Sequence, residues 1–436
     1  MLKQSKYNRI LFVTENIWWL HNILSGSECF ISDEEKNILE VESGYLLPEN
    51  EELISEWKNM GFLIPTAVSE DSCMELERKI AMYSSISDQF GAVIAPTMDC
   101  NAQCFYCYEN NTRSCCYMNQ KTETALIEYI KEMTVGKKKL FISWFGGEPL
   151  LCMDSIKRIS EQLIAFCDEQ NVIYEAELTT NGYLLDNLAM SFADLRIKDI
   201  QVTIDGYDKE YERRKRFINI PDAWSKVCDN IFEYSTNGFH ITLRMNFDKK
   251  NFQSIKEAVK FFVKNPKWNS NISIYFYPLE PTKSEPDFHI YFKESEYEMA
   301  MDELYTYLYE LGYYDLHPDA IDFCKLTLPC YGGTLSTTAI DFEGNIYQCQ
   351  HLLCNSEYVI GNIFDGGVQI NEDVLEWYDG TLPQKCEDCM VIPLCQGGCV
   401  TKRRLGQTCY LCHMMKYRLN IQEKLRVKQL KNCLMK

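Results

Sequence analysis

The chain has 436 residues, 46% of them hydrophobic, with a formal net charge of −19 and 21 cysteines. That length exceeds one typical core, so two or three domains are expected, and no apolar run is long enough to cross a bilayer. The negative charge disfavours nucleic acid, whose phosphates need a cationic surface, and mildly favours a basic peptide partner. The opening MLKQSKYNRILFVTENIWWL carries basic residues ahead of an apolar patch, but Asn8, Arg9 and Glu15 interrupt it, so no export signal is read. Cysteines in such number without that signal point to metal ligation in the reducing cytoplasm rather than to a disulfide framework.

Residues 1–90 read as a small separate module. RILFVT and ECFIS are short β-like runs with a turn-prone SGS between them. DEEKNILEV is a helix opening after Ser32, and ENEELISEWKNMGFLIP is a helix stopped at Gly61 before a short strand. A polar helical stretch, SEDSCMELERKIAMYSSISDQF, then leads to GAVIAPTMDC, a buried strand broken at Pro96.

The loop after that strand holds Cys100, Cys104 and Cys107 in the spacing CxxxCxxC, with Tyr106 just before the last. A structural zinc site closes with four ligands, usually as two separated pairs. Three thiolates in one loop fit three irons of a four-iron cluster better, and they leave the fourth iron open. From 91 to 310 strand-like and helix-like segments alternate, which predicts parallel βα units. KKLFISWF ends in Gly146, Gly147, Glu148 and Pro149, where glycines let the chain turn sharply at the strand's carboxyl end. YEAELTTNGYLL places Thr179, Thr180 and Asn181 at its end, DIQVTIDG does the same with Thr203 and Asp205, and HITLRMNFDKKN carries Arg244 and Asn246. Arg214 lies in a basic run, YERRKRF, of the kind that more often forms a solvated surface. ISIYFYPLEP is the sixth strand.

CxxxCxxC after a first strand, followed by GGEP after the second, resembles the radical S-adenosylmethionine (SAM) enzymes. The resemblance implies an α/β fold, an open partial (β/α)6 TIM barrel over residues 91–310, and a four-iron cluster whose open iron is chelated by SAM. It makes GGEP the motif for the SAM amino group and Thr203 and Asp205 contacts to the ribose and methionine. Thr180 and Asn181 are then placed to bond the ribose, and Arg214 and Arg244 to bind the cofactor, Arg244 at its carboxylate. The implied chemistry is reductive cleavage of SAM to methionine and a 5′-deoxyadenosyl radical that takes a hydrogen from the substrate, with one electron drawn from an external flavodoxin- or ferredoxin-type donor.

Residues 311–436 carry a second signal. Cys386, Cys389, Cys395 and Cys399 are spaced CxxCxxxxxCxxxC, and CYGGTLSTTAIDFEGNIYQC sets Cys330, Gly344 and Cys349 upstream, with DFEGNIYQC read as a hairpin. This resembles the SPASM extension, which binds auxiliary clusters; zinc ribbons are the rival reading of the CxxC pairs. The family pattern gives one cluster to Cys324, Cys330, Cys349 and Cys399 and the other to Cys386, Cys389, Cys395 and Cys412, with Cys409 the alternative last ligand. Three four-iron clusters are thus implied. Cys29, Cys73, Cys152, Cys167, Cys228 and Cys433 are expected to pack as small hydrophobes. The order of elements in residues 1–90 resembles the winged-helix leader-recognition modules of peptide-modifying relatives, a structural cap on the barrel being the alternative. The whole then reads as an oxidoreductase-type peptide maturase that forms a thioether or carbon–carbon cross-link in a precursor peptide carrying a leader. A sulfatase-type maturase making formylglycine and a non-catalytic iron–sulfur or zinc scaffold are the competing readings.

Overall fold

A computed structural model describes residues 2–40, 51–83, 88–186, 188–281, 289–317, 330, 332, 334–377, 382–406 and 411–435. The chain divides into two compact units, neither continuous in sequence: Met1–Tyr83 with Pro318–Gly333 and Trp377–Lys436, and Ser84–His317 with Thr334–Glu376. Among the described residues no helix is long and apolar enough to cross a membrane.

The first unit opens with β1 (Leu2–Gln4), β2 (Asn8–Thr14), β3 (Ile17–Asn22) and β4 (Glu28–Ile31), followed by α1 (Asp33–Glu40), α2 (Glu51–Asn59), β5 (Leu63–Pro65) and α3 (Glu70–Tyr83). β2, β3 and β4 form an antiparallel sheet, and β1 pairs with β5. The middle strand, IWWLHN, differs from the sequence reading, which ran directly from RILFVT to ECFIS. Asn16 takes the left-handed turn conformation (φ 56°) between β2 and β3, a backbone state that asparagine tolerates. The strand hid because its last four residues, Trp19 to Asn22, are all buried, so no alternation marks it.

Residues 1–83 close one core of their own, around Leu20, Ile31, Leu39, Trp57, Phe62 and Leu63, and share a second with the C-terminal segment. Tyr7, Ile23 and Met74 share a cluster with Val391, Ile392, Leu394 and Leu419. Across from it, Arg9 donates from Nε and Nη2 to Glu423 of the helix Leu411–Leu434 at 2.8 and 2.7 Å, and His21 Nε2 lies 2.9 Å from the same carboxylate. Glu423 is nearly fully buried. Burial alone would raise its pKa, but the bonds from Arg9 and His21 prevail and hold it below the usual carboxylate value.

The second unit is one ten-stranded sheet. Its parallel part comprises β6 (Gln89–Ile94), β7 (Lys139–Trp144), β8 (Ile173–Thr180), β9 (Ile197–Ile204), β10 (His240–Phe247) and β11 (Ile272–Pro278), in sequence order. The connecting helices are α4 (Gln120–Thr134), α5 (Met153–Gln170), α6 (Ala189–Asp194), α7 (Lys209–Lys215), α8 (Ala223–Thr236) and α9 (Phe252–Val263), with α10 (Glu294–Glu310) after β11. The six strands and their crossovers are those of the expected partial barrel. Sequence neighbours are sheet neighbours throughout, as βα units dictate. At the other edge β12 (Thr337–Ile340) runs parallel to β6, then pairs with β13 (Asn345–Tyr347) in the expected hairpin. β14 (Gly361–Asn362) and β15 (Gly367–Val368) complete the sheet.

The two faces of β9–β11 differ sharply. Val202, Ile204, Leu243, Met245, Ile274 and Phe276 are buried on one face, while Thr203, Arg244 and Tyr275 lie side by side in register on the other. That second face is polar, whereas the interior of a closed eight-stranded barrel is packed with Val, Ile and Leu.

The Glu423 contacts predict a specific weakness. Glu423→Ala strips a buried pair of one partner and is expected to destabilise the first unit by about 3 kcal/mol, whereas Arg426→Ala, whose partner Glu28 is part-exposed, should cost under about 1 kcal/mol. Because the carboxyl pKa is lowered in the fold, its contribution persists above the ordinary value of 4.5 and fades as pH falls through the lowered one. Urea unfolding followed by tryptophan fluorescence at pH 7 and pH 4 measures both effects.

Candidate active site

The loop from Ala95 to Asn119 is tied down at both ends. Thr97 Oγ1 donates to Cys116 O at 2.7 Å, Tyr117 Oη donates to Asp99 at 2.6 Å, and Arg113 donates to Cys100 O. Cys100, Cys104 and Cys107 are part-buried within it. Burial raises all three thiols, Cys100 to about 12, with the Glu148 charge adding to that shift. Among the described residues no three His, Cys, Asp or Glu side chains converge as they would on a single ion. Three thiols on one loop are soft donors of the kind an iron–sulfur cluster takes.

The turn after β7 interlocks with this loop. Gly147 N donates to Thr97 O at 3.2 Å and Glu148 N to Asp99 O at 2.8 Å. Gly146 sits at φ +115°, and a Cβ there would overlap Thr97 O; one on Gly147 would overlap Asp99 O. Only glycine permits this backbone approach. Glu148, which is fully buried, accepts from Leu150 N (3.1 Å), Thr180 Oγ1 (2.8 Å) and Asn181 N (2.9 Å). Burial pushes its carboxyl up to about 7 against the pull of those donors. The carboxylate therefore joins the ends of β7 and β8. Thr180 spends its hydroxyl on Glu148, and Asn181 reaches across to Asn101 Oδ1 at 2.6 Å. Pro149 begins the short helical turn that follows.

A second buried group lies at the ends of β9 and β10. Asp205 accepts from Tyr106 Oη and from Asn246 Nδ2 (3.0 Å), and pairs with Lys215 Nζ at 3.1 Å. Lys215 also donates to Thr203 Oγ1 and to Tyr106 Oη (3.2 Å). Burial alone would lower the Lys215 pKa, but Asp205, with Cys104 beyond it, holds it above its usual value. Tyr106 is driven well above its own by burial and the Asp205 charge, so it stays a donor. Backbone bonds from Gln103 N to Lys215 O (3.0 Å) and from Ile218 N to Asn101 O (2.9 Å) fasten α7 and the residues after it to the cysteine loop.

Arg214 is placed elsewhere. Its buried guanidinium pairs with Asp248 and lies 4.8 Å from the Phe105 ring, so the cation of YERRKRF that reaches Asp205 is its neighbour Lys215. Lys215 was missed because the run looks solvated. The available signal was Tyr211, buried one turn earlier, which marks the inward side of α7 at i,i+4 spacing. Arg244 stands half-buried on the polar face, with Nε donating to Asn246 Oδ1 at 3.0 Å and its guanidinium 3.9 Å from the Tyr277 ring centre.

The distal cysteines fall into both units. Cys386, Cys389, Cys395 and Cys399 lie in the first, where Gln396, Gly397 and Gly398 all take left-handed backbone (φ 48°, 81° and 80°) and reverse the chain between the last two cysteines. Cys330 belongs to the first unit and buried Cys349, at the end of the β12–β13 hairpin, to the second. Cys324, Cys409 and the Cys412 side chain lie outside the described residues. Cys152, Cys167 and Cys228 are buried as expected, but Cys73 and Cys433 are exposed and Cys29 is only part-buried.

Residues 94–262 match the Radical SAM superfamily profile. The chain is 29% identical over 218 residues to a probable GTP 3′,8-cyclase of Methanocaldococcus jannaschii, covering 46% of this chain and 68% of that protein. It is 29% identical over 187 residues to another of Sulfurisphaera tokodaii, covering 40% of this chain and only 54% of that one. In fold it resembles the solved structure of native anSMEcpe with bound AdoMet and Cp18Cys peptide, with a TM-score of 0.61 at 17% identity, covering 79% of this chain and 99% of that one.

Two substitutions test this geometry. Gly147→Ala, whose Cβ meets the Asp99 carbonyl, is expected to displace the cysteine loop and lower the iron it retains after anaerobic reconstitution. Lys215→Met leaves Asp205 buried without its cation, so it should destabilise the second unit by about 3 kcal/mol, and Lys215→Arg should restore most of that loss. Iron content and urea unfolding read the two outcomes.

Proposed function

We propose, from the premise that this chain is an enzyme whose residues 94–262 form a domain of the radical SAM superfamily, that it modifies a ribosomally made precursor peptide by forming a thioether or carbon–carbon cross-link. The observation that carries the SAM reading is the interlock of the CxxxCxxC loop with the GGEP turn beside the Asp205–Lys215 group. The domain implies one four-iron cluster and SAM. Cys100, Cys104 and Cys107 would hold three irons, and the turn at Gly146, Gly147 and Glu148, with Lys215, Thr203 and Asp205, would hold SAM. When bound, cluster and SAM supply a one-electron cleavage that yields a hydrogen-abstracting radical, the organic chemistry being the cofactor's own.

The residues of this chain bind, orient and shield. Tyr106 and Asn246 fix the Asp205 carboxylate, and Asp205 in turn fixes Lys215, so a bound anionic group meets a cation that costs no reorganisation. The polar face of β9–β11, with Arg244, Tyr275 and Tyr277, offers hydrogen-bonding and aromatic surface suited to a peptide. The cysteine-rich segment 386–399 supports two further four-iron clusters, held by Cys324, Cys330, Cys349 and Cys399 and by Cys386, Cys389, Cys395 and Cys412. The three-stranded sheet of residues 8–31 supports leader recognition by addition of a strand. Work in the reducing cytoplasm with a flavodoxin- or ferredoxin-type donor completes the reading.

The relatives' name raises a nucleotide substrate as the second reading. A triphosphate needs several cations. Among the described residues Lys215 is paired with Asp205 and Arg214 with Asp248, Arg113 is spent on the Cys100 carbonyl, Arg244 and Arg216 lie against aromatic rings, and the chain carries a net charge of −19. This balance favours the peptide.

Anaerobic reconstitution is expected to give about twelve irons per chain, from three clusters of the four-iron type, and the triple variant Cys100→Ala/Cys104→Ala/Cys107→Ala should lose about four of them and all 5′-deoxyadenosine formation. With SAM, a reductant and short peptides taken from the reading frames that neighbour its gene, mass spectrometry should show loss of a hydrogen pair from one of them. GTP consumption without change to any peptide would overturn the proposal.

A further inference from the structure

We infer that Arg244 is a binding subsite for a carboxylate of the peptide substrate, distinct from the cation that serves SAM. The inference rests on the peptide reading above.

Lys215 and Arg244 both stand near the polar face of the barrel strands, and their surroundings differ. Lys215 is bonded to Asp205 and Thr203, and the charges felt by its ammonium include Cys104 and Cys100. Its neighbour Glu148 belongs to the GGEP turn. It is therefore a cation beside the cysteine loop, where the amino-acid end of SAM has to lie in order to reach an iron held by those thiolates.

Arg244 has no such company. The groups around its guanidinium are Tyr275, Tyr277, Tyr108 and Tyr106. Nε is committed to Asn246 Oδ1 at 3.0 Å, and the guanidinium lies 3.9 Å from the centre of the Tyr277 ring. Tyr275, next to Arg244 in the β10–β11 register, is tethered through its hydroxyl to Gln201 at 2.7 Å. Among the described residues no carboxylate pairs with Arg244. A part-buried guanidinium lacking a counter-ion is costly, and it is placed here with Nε anchored on Asn246 and a further N–H on the Tyr275 hydroxyl, leaving its remaining N–H groups for a ligand.

The chemistry of that ligand follows from the donor. A guanidinium presents a planar fork matched to carboxylate oxygens, and stacking on an aromatic ring sets the plane of the fork. The aromatic rings beside it lower the local dielectric, which strengthens a charged bond made there. Tyr108, next to the cluster cysteine Cys107, is among these neighbours, so a carboxylate seated on Arg244 would hold the substrate near the cysteine loop. Two sources fit: an Asp or Glu side chain near the modified residue, or a free C-terminus.

The test uses reconstituted, SAM-loaded enzyme presented with random twelve-residue displayed peptides, in one arm with free C-termini and in the other with amidated ones. Wild type is expected to enrich Asp or Glu over Asn and Gln by about 10- to 100-fold, the range of a charge-assisted hydrogen bond. Arg244→Gln should erase the preference and Arg244→Glu should turn it toward Lys and Arg. If the C-terminus is the source, amidation removes the same factor and side-chain composition is neutral. SAM affinity, titrated calorimetrically, should move less than about threefold in Arg244→Gln, under the 1.4 kcal/mol of a tenfold change. Unchanged peptide preference in both variants overturns the inference, as does a tenfold loss of SAM affinity with the preference intact, which would assign Arg244 to SAM instead. If wild type retains no peptide at all, the peptide reading fails and the inference falls with it.

Discussion

The site depends on a backbone contact that no side chain makes. Gly146 and Gly147 bring the turn after β7 so close to Thr97 and Asp99 that two consecutive amides bond the carbonyls of the cysteine loop. Everything else in the region builds outward from there. The turn positions Glu148, which gathers Thr180 and Asn181 from β8. Asn181 then reaches back to Asn101, closing a ring of contacts round Cys100. A loop that must place three thiols is thus held by hydrogen bonds of the scaffold before any iron arrives, and the buried Glu148 is satisfied by donors from two strand ends rather than by a counter-ion.

Opposite this ring stands a second solution to the problem of burying charge. Asp205 and Lys215 are paired, and Tyr106 links the pair to the cysteine loop itself. The low dielectric that makes an unpaired buried charge expensive also makes a satisfied network rigid. The Arg214–Asp248 pair beside Phe105 uses the same device one residue earlier in the chain. Adjacent residues of one helix therefore bury their charges in separate pairs, and only their angular positions on α7 separate them.

That contrast shows what the sequence made legible. CxxxCxxC and GGEP are local spacings, so the loop, the turn and the six barrel strands could be read directly. Lys215 could not, since a basic run looks solvated until the buried Tyr211 reveals which side of α7 faces in. IWWLHN escaped because burial on both faces removes the alternation that identifies a strand. The division of the chain was equally hidden: Tyr7 and Ile23 pack with Ile392 and Leu419, and β12 lies parallel to β6, pairings that join residues hundreds of positions apart and leave no periodic trace in either partner.

The central claim is that a SAM-derived radical formed at this loop takes its hydrogen from a peptide. Transfer of deuterium tests it most directly: reconstituted enzyme would be given SAM, a reductant and either a precursor peptide deuterated at its β-carbons or GTP deuterated on the ribose. The account predicts that label from the peptide appears in 5′-deoxyadenosine and that label from GTP does not. Deuterium arriving from GTP alone would contradict it.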